Sequence, residues 1–185
     1  MMKGLGESYR NAEAATGGDF EKLPPGGYVC TIKKVINRED KSYLQIVYDI
    51  REGQYADFYN DEWGKDNEWA HTCYHSYTDK AYGIFKGFLK SVDESNNTDF
   101  AAQAEFGLDE QRLIGKAIGY IIGEEEYESN TGEVRTSLKV RRTVPIQTIR
   151  EGTFKHPELK KLKKQDDAPA PSIPATPLKA DDLPF

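Results

Sequence analysis

Two alternating stretches, separated by four charged residues, constrain the fold more than any other feature of this sequence. Between Tyr28 and Asn37, Tyr28, Cys30 and Ile32 alternate against Val29, Thr31 and Lys33. Between Ser42 and Arg51, Leu44, Ile46, Tyr48 and Ile50 alternate against Tyr43, Gln45, Val47 and Asp49. A period of two puts successive side chains on opposite faces of a strand, so each stretch reads as a strand with one face toward a core. The intervening Arg38-Glu39-Asp40-Lys41 is short and polar, which predicts an antiparallel hairpin. Just upstream, Leu23-Pro24-Pro25-Gly26-Gly27 is a turn signal and marks where a folded domain begins.

The stretch Glu52 to Glu68 is aromatic and acidic at once, with Tyr55, Phe58, Tyr59 and Trp63, and predicts a short strand passing into an exposed loop. Trp69 to Tyr77 alternates again, with His71, Cys73, His75 and Tyr77 opposite Thr72, Tyr74 and Ser76. At Asp79 the period changes. Ala81, Ile84, Phe85, Phe88, Leu89 and Val92 recur at three- and four-residue spacings, the mark of an amphipathic helix of about four turns. Ser95-Asn96-Asn97 ends it, and a shorter helical piece is expected between Thr98 and Leu113. Lys116 to Tyr127 and Glu133 to Arg142 form a second hairpin around Ser129-Asn130-Thr131-Gly132, stopped by Pro145. Three strands, a helix and two strands predict a mainly β protein, a five-stranded OB-fold-like antiparallel barrel with a helix between strands three and four. An open β-sandwich with a helical insertion fits the same pattern.

The expected organisation is a flexible segment over 1–22, in which Ser8 to Ala15 could form a short helix, then a domain over 23–152. A basic connector over 153–165 and a disordered acidic tail over 166–185 follow. Five of the nine prolines fall in the last eighteen residues, a composition that stays extended. The formal net charge is −6, and the last twenty residues carry −3 of it, which leaves −3 for the rest. A core so close to balance needs a local basic stripe, not a basic whole, to hold a polyanion. Cys30 and Cys73 are the only cysteines and form neither a disulfide framework nor a CxxC site. There is no apolar run of about 18 residues and no signal peptide at the first residues, so a soluble cytoplasmic protein is expected.

Little points to catalysis. Glu124-Glu125-Glu126 and Asp61-Glu62 are the raw material of a Mg²⁺ site, but read more simply as a solvated strand end and loop. His71-x-Cys73-x-His75 would share a strand face, yet reads better as half-buried core than as part of a zinc site. Neither a phosphate-binding GxxxxGK[ST] loop nor a GxSxG elbow is present. No enzyme activity, metal or cofactor is expected.

Binding chemistry is better represented. Arg135, Lys139 and Arg141 at period two form a cationic row at steps of about 6.6 Å, near the spacing of an extended nucleic-acid backbone. Lys33 on the first strand and Lys116 on the fourth could extend that row. Stacking of bases on exposed rings contributes about 1–3 kcal/mol per base and needs no sequence readout. The rings expected to serve are Tyr43, Tyr55, Phe58, Tyr59, Trp63, Trp69 and Tyr74. The sequence closes on Asp181-Asp182-Leu183-Pro184-Phe185. An aromatic ring for an apolar pocket, a carboxylate for an arginine or lysine, and aspartates for a basic rim make this tip a recruitment peptide for a partner protein.

That tip resembles the acidic tip of bacterial single-stranded-DNA-binding proteins, which ends in aspartates, an aliphatic residue, proline and phenylalanine. The resemblance implies a tip that recruits repair and replication proteins and competes with DNA for the binding groove. Leu23-Pro24-Pro25-Gly26-Gly27-Tyr28, with Tyr48-Asp49-Ile50-Arg51-Glu52-Gly53 and Phe85-x-x-Phe88-Leu89, is similar to small phage and mobile-element proteins of replication and recombination modules. Several of those are OB-fold single-strand binders. The similarity spans Leu23 to Arg150 and supplies no DNA site residue by residue. The expectation is a non-enzymatic, sequence-tolerant single-stranded DNA-binding protein that coats DNA in a bacterial host cell and recruits replication or recombination proteins. A homo-oligomer is compatible with it. The rivals are a mediator that anneals strands, a metal-dependent nuclease, and an adaptor that presents its peptide without touching DNA.

Overall fold

In a computed structural model, which describes residues 22–162, both alternating stretches are strands. β1 spans Gly26–Arg38 and β2 spans Tyr43–Ile50, paired antiparallel from Cys30↔Ile50 to Arg38↔Tyr43. The register shifts between Ile32 and Lys34, which makes Lys33 the extra residue of a β-bulge. The shift explains why Val35, three residues after Ile32, is buried along with Cys30 and Ile32. β3 covers only Thr72–Ser76, because Glu68–His71 winds into a 3-10 turn just before it. β4 (Ala117–Glu128) and β5 (Val134–Val144) form the second hairpin, with Gly132 at φ 78° in its turn. Together they make one open antiparallel sheet in the order β3-β2-β1-β4-β5.

Two of the four described α-helices lie where a helix is expected, and the other two, before β3 and after β5, stand in stretches with no helical signal. α1 (Glu62–Asp66) is a single turn before β3, and α2 (Tyr82–Asn96) is the long amphipathic helix, burying Phe88, Leu89 and Val92. Asn97, at φ 53°, caps it with its N–H donating to the Asp93 carbonyl. α3 (Phe100–Gln103) and a 3-10 turn over Glu110–Leu113 stand where a second helical piece is expected. α4 (Ile146–Arg150) begins directly after Pro145. Residues 51–60 depart from expectation, forming turns where a short strand is predicted. Gly53 and Asp57 both adopt positive φ there, and the Asp57 N–H returns to the Ile50 carbonyl, so the chain reverses before a strand can form.

The sheet is strongly coiled. β3 and β4 are three strand spacings apart, about 14 Å if the sheet were flat. Yet the Tyr120 hydroxyl of β4 lies 3.4 Å from both the Cys73 thiol and the His75 Nε2 of β3. His75 also stacks on Phe88 of α2 at 3.9 Å, which closes the core between sheet and helix. Burial pushes the His75 imidazole down to about 3 and the Cys73 thiol up to about 12.

The other face of β1 and β4 is covered by the chain that follows β5. Bare glycines make room for it. A Cβ on Gly27 would lie 2.5 Å from the Phe154 ring, one on Gly119 2.9 Å from Ile149, and one on Gly123 2.8 Å from Pro157. Beyond Pro157 this strap pairs with the end of β4 that outruns β1. The Lys160 N–H donates to the Glu124 carbonyl at 3.0 Å, and the Glu126 N–H donates to the Lys160 carbonyl at 2.9 Å. The chain therefore stays on the sheet past residue 152, through much of the stretch read as a connector.

Two outcomes follow from this packing. Gly27→Ala should destabilise the protein by about 1–3 kcal/mol in urea unfolding, because an overpacked strap must shift. The second concerns pH. His75 is neutral when folded but ordinarily titrates at 6.5. The unfolded chain therefore binds a proton that the folded chain refuses. Stability from this group is complete above about pH 6.5 and falls toward pH 3, by up to about 1.4 kcal/mol per unit. Between about pH 7.5 and 5.5 the urea midpoint should drop clearly in the native chain and much less in His75→Gln.

Candidate functional site

The aromatic segment between β2 and β3 is held in place by one buried carboxylate. Asp49 is almost fully buried, and its Oδ1 accepts the N–H groups of Ile50 at 2.8 Å and Tyr59 at 3.0 Å. These bonds fasten the turns that carry Tyr55, Phe58 and Tyr59 against the sheet. α1 then packs directly on the Tyr59 backbone, where a Cβ on Gly64 would lie 2.2 Å from the Tyr59 carbonyl oxygen. Asp61 caps α1 by accepting the Gly64 N–H at 2.7 Å. His71 bridges the two parts, with Nδ1 on the Tyr48 carbonyl and Nε2 3.1 Å from the Gly64 carbonyl. Trp63 and Trp69 are thereby placed side by side, rings 6.3 Å apart and edge to face, 49% and 68% exposed.

These indoles border a groove of about 720 Å³. Phe58 and Leu23 contribute to its apolar lining, and Tyr127, Leu138 and Lys139 of the β4–β5 hairpin form the facing wall. Lys22 stands at the rim and contacts Glu124 at 3.1 Å. The groove thus lies where the β3 side of the sheet approaches β5, its other edge. An apolar slot whose lining also includes Lys22, Lys139 and Asp61 can hold a planar ring between aromatic faces.

The expected rings separate into groups. Trp63, Trp69 and Tyr74 are open, and Tyr74 is 62% exposed with Tyr43 packed edge to face against it at 5.4 Å. Tyr55 and Phe58 are half-buried against the core. Tyr59 is 5% exposed and stacks on His71 at 4.5 Å, so most of its ring belongs to the core and little is left to line the groove. Lys34, whose neighbour Lys33 occupies the bulge, pairs with Glu68 at 2.9 Å.

The cationic row is present but interleaved with acids. Arg135 pairs with Glu133 at 2.7 Å, and Arg141 lies 3.6 Å from Glu125, which Lys160 also contacts at 2.6 Å. The Lys160 hydrogen bond, helped by the charges of Arg141 and Lys139, holds the Glu125 carboxyl below its usual range despite partial burial. Arg141 is itself a bulge residue, since Ile121 pairs with Arg142 and Ile122 with Val140. Lys116 does not join this row. It stands before β4, at the end of that strand far from Arg135, five residues and about 17 Å by strand rise from the Ile121 that pairs with Arg142, and eleven residues from the Tyr127 that pairs with Arg135. Lys33 lies near that same far end, because the Ile32 N–H donates to the Lys116 carbonyl.

Lys22 and Tyr127 are groove residues that sequence reasoning passed over. Tyr127 has a signal, as an aromatic at the polar end of an alternating strand, whereas Lys22 has none. The recruitment tip Asp181, Asp182, Leu183, Pro184 and Phe185 lies outside the described residues, as does Ser8 to Ala15. Among the described residues no group of three His, Cys, Asp or Glu side chains is arranged to hold a metal, and both cysteines are buried and free. No described helix is long and apolar enough to cross a membrane. No family model matches this chain, and no curated protein matches it.

Removing the buried carboxylate should unsettle the whole site. Asp49→Ala leaves the Tyr59 N–H without its acceptor and is expected to lose about 1–3 kcal/mol. The tryptophan emission should shift to the red as α1 loosens, which fluorescence and urea unfolding would report together.

Proposed function

We propose that this chain is a sequence-tolerant, non-enzymatic binder of single-stranded DNA that recruits partner proteins through its C-terminal tip. One observation carries the DNA part. Two adjacent, exposed indoles stand at the rim of an apolar groove whose lining includes Lys22 and Lys139. Exposed tryptophans are costly to keep in water without a use, and a base can stack on them whatever its identity. Tyr74 and Tyr43 offer a second stacking place on β3 and β2. A duplex has no free base faces to offer such rings, so single strands are the substrate class.

We further propose that the sheet is an OB-fold-like barrel left open between β3 and β5. The strand order and the contact of Tyr120 with β3 support that reading. In OB-folds the face of the second and third strands is a common oligonucleotide surface, and here it carries Tyr43 and Tyr74. The resemblance of the tip to those of bacterial single-stranded-DNA-binding proteins supports recruitment and a place in phage or mobile-element replication and recombination in a bacterial cell. The pairing of Arg135 with Glu133 and Arg141 with Glu125 favours a second reading, an adaptor that never touches DNA.

Titration of the full chain with oligo-dT decides between the two. Binding should quench tryptophan fluorescence and weaken steeply with salt. Trp69→Ala should lose about 1–3 kcal/mol of affinity, roughly 5- to 150-fold, while duplex of equal length binds far more weakly. Absence of oligonucleotide affinity at low salt would sink the DNA proposal and leave the adaptor.

A further inference from the structure

A second groove, of about 830 Å³, lies at the opposite pole of the sheet between the β1–β2 turn and helices α2 and α3. Its floor is apolar, with Leu44, Phe85, Leu89 and Leu108, and its rim is acidic, with Glu39, Glu105 and Glu110 against the single cation Lys86. Burial and the neighbouring carboxylates of Glu39, Glu110 and Asp40 hold the Tyr77 phenol above its ordinary value. An apolar floor under a rim of three carboxylates and one ammonium favours an apolar segment that carries positive charge.

Such a segment is present in the same chain. The end of the strap reads Leu159-Lys160-Lys161-Leu162, followed by Lys163 and Lys164. Leu159 and Leu162 are 43% and 37% exposed, and Lys161 is exposed beside them. The segment is anchored far from the groove, because the Leu162 N–H donates to Glu126 Oε2 at 2.9 Å. β1 begins opposite Ile122, four residues short of Glu126, and Asn37 at the groove lies eleven residues past Gly26. The two places are therefore about 50 Å apart along the strands.

We infer that the acidic-rimmed groove receives the Leu159–Leu162 segment of a second copy of this chain, in a head-to-tail contact. A segment held at one pole cannot fill a groove at the other pole of its own molecule, so a contact between the two must join different copies. The contact is heterologous, with different surfaces on the two sides, and it builds a row or a ring of copies and not a closed pair. This inference does not depend on DNA binding and is tested without DNA.

The experiment is a charge exchange on the full chain, read by sedimentation velocity over a concentration series. The native chain should self-associate, and more weakly as salt rises. Glu110→Lys and Lys161→Glu each place like charges across the contact and should each raise its dissociation constant about tenfold or more. Mixed in equal amounts, the two variants restore opposite charges at both kinds of contact, so association should return. Circular dichroism melts unchanged from the native chain show that each variant is folded. A synthetic Leu159 to Lys164 peptide should bind the native chain and not Glu110→Lys. The inference is overturned if the native chain stays monomeric throughout, or if the mixture associates no better than either variant alone. It is equally overturned if unrelated cationic peptides fill the groove while the chain remains a monomer, since the occupant is then another protein.

Discussion

Tyr120 is the contact on which the rest of the arrangement depends. Fully buried, it touches Tyr48 of β2 at a ring separation of 4.9 Å and reaches Cys73 and His75 of β3 with its hydroxyl. One side chain on β4 thereby spans the concave face of the sheet to its far edge. Without that span the sheet would open, and β5 with Tyr127 and Lys139 would draw away from Trp63 and Trp69. The groove between them is a product of curvature. Its two walls share no backbone pairing, so the depth of the sheet's coil sets its width.

The convex face is organised by opposite means. There, side chains are absent where they would obstruct, at Gly27, Gly119 and Gly123, and the strap lies in the space. The strap returns a hydrogen-bonded partner to the part of β4 that β1 does not reach. It also brings Lys160 to Glu125, so that an acid lying within the basic row answers to two cations at once. Close packing on one face and a bare track on the other give β4 its uninterrupted burial from Ala117 to Gly123.

Much of this was legible where the cause is local. Alternation marks β1, β2 and β5, and the change of period at Asp79 marks α2. The turns of 51–60 were not legible, because they depend on the Asp49 carboxylate reaching forward ten residues to Tyr59. Tyr59 itself looks like its aromatic neighbours in sequence, and only the stack on His71 separates it from Trp63. The cationic row was visible as a pattern, but its partners Glu125 and Glu133 come from pairing and turn geometry that a single strand does not reveal. The groove needed three segments to meet, and no one of them announces it.

The bulge at Lys33 has a consequence for how this protein tolerates change. On its two sides β1 faces the core with opposite parity, even-numbered residues up to Ile32 and odd-numbered from Val35. Loss of that one residue would leave the register intact, because Ile32 and Val35 would then stand two places apart, both facing the core, with Lys34 between them facing out. Loss of a residue elsewhere in β1 turns part of the strand inside out unless the bulge takes up the slip. The extra lysine is therefore slack in the register, a place where β1 can give up a residue without exchanging its core for its surface.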